Sequence, residues 1–310
     1  PFCRIQVVRV PQFNNLSINS AAGVVTLSTD SFGAGAGTGG FFVMKVNGTL
    51  SLVGANPIKF DMNGFGFQAV ANTGGDGSEG IGLTGSSVNV GNGGGLGTAF
   101  GEAGGGGGNN GVGGLGGGAS GGLGGTDQPF CSGGTHCTPA EKLFMGGGGG
   151  ASMTIPGGAG GGVVLIFART IDIQATTQLL ANGAAGSLGT GDGGGGGGAG
   201  GTILMKAQTI IGTASGNLDL WADGGIGGNT SSGFSGGGGG GGATELQWCE
   251  TQPSNASLVG KGLSAFASHA LGGAPGAGGS GGGFAGTNGN GAQPGGIGDY
   301  SIYAPALCGI

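Results

Sequence analysis

Few side chains in this chain are equipped for chemistry. Its two histidines, His136 and His269, are the only imidazoles available as general bases near neutral pH. Three stretches, Gly118–Gly122, Gly233–Gly237 and Gly278–Gly282, match the glycine-x-serine-x-glycine pattern of a nucleophile elbow. An elbow sets its serine between a strand and a helix, and none of the three follows a strand pattern and opens a helical one. With 92 glycines among 310 residues, such matches arise from composition alone. The same holds for the many G-x-G-x-x-G matches, and no G-x-x-x-x-G-K sequence occurs. No catalytic residue, metal ligand or cofactor site is therefore assigned, and the chain does not read as an enzyme.

The remaining reactive groups point to staples. Five cysteines stand at Cys3, Cys131, Cys137, Cys249 and Cys308. Cys131, His136 and Cys137 lack the second ligand pair that a zinc site needs. A local disulfide between Cys131 and Cys137 fits better, and a second between Cys249 and Cys308 is expected because both follow strand patterns in the C-terminal part. Cys3 is then left over. Such bridges imply an oxidising compartment. Gly74–Ile81 has the form of one calcium-binding nonapeptide with Glu79 in place of aspartate, but such units bind between tandem copies, so it reads as a solvated acidic turn. Asp192 reads as a surface charge. Trp221 and Trp248 stand at or near strand ends, where packing or an interface is the stronger reading than stacking on sugars. Asn15, Asn47, Asn229 and Asn255 open N-x-S/T sequences near turns or strand ends and are acceptor sites for glycans.

Composition narrows the partners. Eight basic residues face 14 acidic ones, for a net charge of −6. Nucleic acid binding calls for clustered cations, so no nucleic acid is expected. The longest apolar run, Val163 to Ala168, is far short of the roughly 18 residues that would span a bilayer, so no membrane insertion is expected. The chain opens on Pro1, which points to a removed leader and to export.

The elements that must position these groups show themselves as an internal repeat. Gly161-Gly-Val-Val-Leu-Ile-Phe-Ala-Arg-Thr-Ile171 aligns with Gly200-Gly-Thr-Ile-Leu-Met-Lys-Ala-Gln-Thr-Ile210 at an offset of 39. Gln178-Leu-Leu-Ala-Asn-Gly183 aligns with Asp219-Leu-Trp-Ala-Asp-Gly224 at an offset of 41. Earlier copies read Gly39 to Leu50 with Ile58 to Gly64, and Leu16 to Asn19 with Val24 to Leu27. Short β-branched strands recurring at this period indicate stacked, strand-rich coils. Asn47-Gly48, Asn63-Gly64, Asn182-Gly183 and Asp223-Gly224 read as turns, whose dipeptides accept positive φ; they also suit hairpins, and the recurrence of like positions at a fixed distance favours parallel stacking. The pattern predicts parallel strands of four to seven residues, with Ala168 near Ala207, Ile171 near Ile210 and small residues lining a narrow interior.

Long glycine tracts lie between these strands, notably 74–125, 146–162, 193–201 and 236–242. Uninterrupted glycine from Gly236 to Gly242 excludes a collagen triplet. Ordering a residue costs about 1–2 kcal/mol and a net hydrogen bond returns about 1 kcal/mol, so a lone glycine strand stays disordered. Many such strands must pack together and satisfy one another's backbone groups. The only helix signal is Thr138-Pro-Ala-Glu141 leading to Met145, which predicts a helix over 139–145.

The fold class expected is all-β: a parallel β-solenoid-like stack of coils with ordered polyproline-II or polyglycine-II-like glycine layers and almost no helix. Four segments of one continuous domain are expected: 1–72, 73–160, 161–247 and 248–310. From Val10-Pro-Gln-Phe-Asn-Asn-Leu-Ser-Ile18 through the Gly-Gly-x-x-Leu-x-x-Ala-x-Thr-Ile coils, residues 10–247 resemble glycine-rich repeat proteins of bacterial surfaces. More distantly, the glycine tracts are similar to those of phage tail-tip adhesins. The resemblance implies a surface location and a β-solenoid, and it implies no activity.

The function expected is a structural subunit of an extracellular filament, fibre or sheath, with copies of itself as partner. The alternative is an adhesin displaying loops on a glycine-rich scaffold, with surface glycans as partner. Ice binding is a third class, and it lacks a regular threonine ladder because Thr170 and Thr209 recur only once. For assembly, Phe2, Ile5, Val7, Val8 and Val10 belong to the longest glycine-free β-prone segment. They are expected either to complete the first coil or to pair with the edge of the next subunit.

Overall fold

The computed structural model describes residues 8–32, 39–69, 93–97, 102–125, 143–153, 155–190, 193–231, 233–249, 263, 265–274 and 276. Among these residues the regular structure is entirely β. The strands are β1 (Gln12–Phe13), β2 (Leu16–Asn19), β3 (Val25–Leu27), β4 (Phe41–Val53), β5 (Ile58–Asp61), β6 (Val163–Ile173), β7 (Thr176–Leu180), β8 (Thr202–Gly212), β9 (Asn217–Trp221), β10 (Ala243–Gln247) and β11 (Ala265–His269). They form two sheets. The first runs β1-β4-β6-β8-β10, with β2 also beside β4, and the second runs β11-β9-β7-β5-β3.

Every pair of neighbouring strands is parallel, and the repeat sets the register. Ala168 lies against Ala207 and Ile171 against Ile210. Gln178 lies against Asp219 and Leu179 against Leu220. Along the chain each long strand of the first sheet is followed by a short one of the second: β4 by β5, β6 by β7, β8 by β9. The pair β10 and β11 adds a copy that the repeat did not reveal, aligned on β8 and β9. Its Ala-Thr-Glu-Leu-Gln sequence keeps the backbone pairing without the apolar signature.

Several expectations are corrected. The long strands β4, β6 and β8 hold 13, 11 and 11 residues, more than the pattern suggested. Asn47-Gly48 does not close its strand. It forms an irregularity inside β4, where the register shifts between Val46 and Thr49. There the Asn15 Oδ1 accepts the Thr49 N–H at 2.8 Å, which ties the turn before β2 to the bulge. In β6 and β8 the core-facing pairs Ala168/Ile171 and Ala207/Ile210 are each separated by two outward residues, Arg169-Thr170 and Gln208-Thr209. A bend therefore stacks on a bend from strand to strand.

The helix expected over 139–145 is absent at 143–145, and 139–142 lie outside the described residues. Backbone groups there are committed elsewhere: Gly146 donates to the Gly161 carbonyl and accepts from the Phe67 N–H, while Met145 packs with Phe67, Val163 and Leu165.

The interior is larger than the composition suggested. Leu50, Phe60, Ile166, Leu179, Ile203 and Leu220 are fully buried in one apolar core, and Trp248 belongs to it with 3% exposure. Glycine is segregated into the tracts, so the strands between them keep an ordinary apolar content and an alternation of faces. In β5, for instance, Ile58 and Phe60 are buried while Lys59 and Asp61 are half-buried.

Glycine stretches bond with a repeat of three. Gly194, Gly197 and Gly200 donate to Phe234, Gly237 and Gly240; Gly195, Gly198 and Gly201 donate to Ser187, Ala184 and Ala181; Gly196 and Ala199 donate to Gly150 and Gly147, all at 2.7–3.2 Å. Successive N–H groups thus reach three different neighbours, one parallel and two antiparallel. Buried amides are satisfied without a side chain.

A column of side chains marks where the second-sheet strands end. The Asn63 Oδ1 accepts the Asn182 N–H at 2.8 Å, and the Asn182 Oδ1 accepts the Asp223 N–H at 2.7 Å. Asp223 passes the pattern on by accepting the Leu271 N–H at 2.7 Å. Of the glycines that follow, Gly64 has the positive φ expected of a turn, +67°. Gly183 and Gly224 do not share it. They are glycine because a Cβ would lie 2.0 Å from the Gly198 oxygen and 2.1 Å from the Gly239 oxygen. Asn182→Ala is expected to lower stability by about 1–2 kcal/mol, through one lost bond and one exposed amide, while Asn182→Asp stays near wild type because Asp223 already fills this role as a carboxylate. Thermal unfolding of both variants checks this, and equal losses would show that the column contributes nothing of its own.

Candidate interaction surfaces

Three surfaces bear side chains with something to offer a partner. The first is the end of the sheets near β2 and β3. Among the described residues no strand pairs outside β1, β2 and β3 at this end, nor outside β10 and β11 at the other. An apolar groove of ≈440 Å³ opens here, lined among others by Phe13, Leu16, Ile18, Leu27 and Phe42. It exists because β2 and β3 are only four and three residues long and leave their core-facing side chains half-buried. Of the residues expected to mediate assembly, Val8 lines this groove and Val10 is 36% exposed. Phe2, Ile5 and Val7 lie outside the described residues.

Cys249 is disulfide-bonded. The other four cysteines, Cys3, Cys131, Cys137 and Cys308, lie outside the described residues, so the expected Cys131–Cys137 and Cys249–Cys308 pairings do too. Asn15, Asn47 and Asn229 are exposed; Asn255 and His136 fall outside the description, as do residues 74–81 and Asp192.

A second surface gathers His269, Asp223 and Trp221 where the second sheet ends at β11. The His269 Nδ1 and the Asp223 Oδ1 are 2.7 Å apart. The imidazole stacks on the indole of Trp221, with ring centroids 5.0 Å apart and an interplanar angle of 27°. Histidine oriented by a carboxylate is two-thirds of a nucleophilic triad. Among the described residues no hydroxyl or thiol bonds to His269: the Ser268 Oγ instead pairs with the Thr244 Oγ at 2.6 Å. Ser120, in one of the elbow-like sequences, donates its N–H to the Glu102 Oε2 at 3.0 Å, and Ser235, in another, is fully buried. Neither is placed as a nucleophile.

The third surface is the outer face of the first sheet. Lys45, Phe167 and Lys206 share one row across β4, β6 and β8, and all three are half-buried. Two neighbouring strand spacings put the lysine backbones about 9.5 Å apart. Past the stacked bends runs a row of threonines, Thr49, Thr170 and Thr209. The ladder is thus longer by one rung than the sequence indicated, because the shifted register in β4 hides Thr49 from a simple alignment. Between these rows the bends form a notch of ≈190 Å³ lined by Val46, Asn47, Arg169 and Gln208. No described carboxylate forms an ion pair with Lys45, Arg169 or Lys206. Sequence reasoning passed over this cluster, although the signal was present in the matching Phe-Val-Met-Lys45 and Ile-Leu-Met-Lys206 copies.

No protein-family model matches the chain, and neither a curated protein nor a solved structure does so.

Proposed function

We propose that the chain is a structural subunit of an extracellular filament, fibre or sheath, built head to tail from copies of itself. In this reading the strand pairs are coils of a parallel β-solenoid, and the glycine stretches form a polyglycine-II-like bundle beside it. The observation that carries it is the uniformly parallel order of both sheets with two unlike ends. A parallel stack is not self-complementary at either end, so a second copy adds by continuing the register, and a contact of that kind does not close. The apolar groove at the β2 and β3 end supplies surface to bury, and the edge strands supply unpaired backbone groups. The repeat of three in the glycine hydrogen bonds is what a polyglycine-II bundle requires, since such a helix has three residues per turn. The disulfide at Cys249 supports an oxidising, extracytoplasmic setting.

Electron microscopy of the purified protein over a range of concentrations tests the reading. Long filaments with one axial repeat are the expected result, and discrete particles at every concentration would favour the adhesin alternative. Deleting residues 1–10 removes Val8 and Val10 together with Phe2, Ile5 and Val7, and is expected to abolish filaments. If the shortened protein polymerises with unchanged helical parameters, the assembly contact lies elsewhere, on the glycine-rich surface.

A further inference from the structure

We infer that the outer face of the first sheet binds an acidic polysaccharide at the Arg169 notch. The inference does not depend on filament formation. In a chain of net charge −6 with 8 basic residues, this face carries three cations, none ion-paired among the described residues. Against them stand two carboxylates, Asp172 and Glu245, which accept hydrogen bonds from the Gln174 and Gln247 amides, so the local balance is positive against an acidic background. Their arrangement is built by the fold. Bends at equivalent places in β4, β6 and β8 put Asn47, Arg169 and Gln208 side by side around the notch.

Each group suits a uronic acid unit. The Arg169 guanidinium offers a planar fork that matches a carboxylate with two parallel hydrogen bonds. The exposed Asn47 carboxamide beside it both donates and accepts, as sugar hydroxyls require. Phe167, half-buried against the apolar cluster of Phe67, Met145, Val163, Leu165 and Leu204, leaves part of its side chain for apolar contact with a sugar. Lys45 and Lys206 flank it in the same row, about 9.5 Å apart, and so meet further carboxylates of a chain lying across the strands. The threonines beyond the notch add hydroxyls without charge, which confines anion binding to two rows. Nucleic acid fits less well, because its dense phosphates call for more cations than this face carries and its bases for more than one aromatic platform.

Titration calorimetry of the full-length chain with polygalacturonate tests the site, with dextran as the neutral polymer and single-stranded DNA as the competing polyanion. Wild type is expected to bind polygalacturonate, more weakly as salt rises, and not dextran. Arg169→Gln is expected to weaken binding by at least about tenfold through loss of the charge-assisted pair, and Arg169→Lys to recover part of it. Joint replacement of Lys45 and Lys206 by glutamine is expected to cost a few-fold and to flatten the salt dependence. Lys59→Gln, the same charge change on the second sheet, is expected to leave affinity unchanged. Four results would each overturn the inference. They are no binding of polygalacturonate, an equal loss in Lys59→Gln, DNA binding as tight as that of the glycan, or Arg169→Gln abolishing self-association in sedimentation with glycan affinity intact. The last would identify the partner of this face as a second copy.

Discussion

Gly196→Ala is expected to destabilise the protein by about 3 kcal/mol or more, the cost of forcing atoms into a packed interior, although it adds one methyl group. The added Cβ would lie 1.9 Å from the Gly105 oxygen and 2.4 Å from the Gly105 carbonyl carbon. That carbonyl has no freedom to withdraw, because it accepts the Gly150 N–H at 2.8 Å. Gly196 itself donates to Gly150 at 2.9 Å and accepts from Gly158 at 2.8 Å. One methyl therefore disturbs four backbone segments, and the strain cannot be relieved by turning a side chain. Gly23→Ala is the control, since nothing lies within 4 Å of a Cβ there. It is expected to be neutral or to gain a few tenths of a kcal/mol through a less flexible unfolded chain. Paired denaturant titrations measure both. Equal midpoints for Gly196→Ala and wild type would mean that glycine strands do not pack at direct backbone contact.

Phe60→Ala is expected to cost about 3–5 kcal/mol, the range for emptying an aromatic site in a core. Phe60 is fully buried, with Leu27 and Leu179 at the same register position on either side, and its ring meets Phe42 edge-on at 5.4 Å. Removing it opens a cavity between the two sheets and takes away the support on which the short β3 rests. Faster hydrogen exchange over Val25–Leu27 than over Asn217–Trp221 is expected to accompany the loss. Phe167→Ala, at a half-buried position on the outer face, is expected to cost distinctly less. A loss below 1 kcal/mol for Phe60→Ala would show that the side-chain core contributes little and that glycine packing carries the stability.

The two substitutions also mark what was legible. Repeat spacing pointed to the parallel pairing of β6 with β8 and β7 with β9, because matching residues one repeat apart lie side by side in neighbouring parallel strands. The extent of the core was missed, because an average over 310 residues dilutes strands that are individually ordinary. Asn47-Gly48 was misread as a turn: the dipeptide that closes a strand also suits a bulge, and only Asn15 reaching across to Thr49 decides between them. Arg169 was passed over because its neighbours in the notch come from strands far apart in sequence.

What the sequence determined by itself is the order of strands, their direction and the register within the repeated part, since each strand carries side chains that identify its counterpart. Tertiary structure alone decided the rest. Gly104 and Gly107 donate to Gly194 and Gly197, and Gly237 and Gly240 donate to Gly104 and Gly107, pairings that nothing in those residues specifies. A glycine stretch offers identical donors and acceptors at every step, so no position in it is chemically distinct from the next. Its partners are selected by where the flanking strands deliver it, and by the hydrogen on Cα that lets three neighbours approach at once.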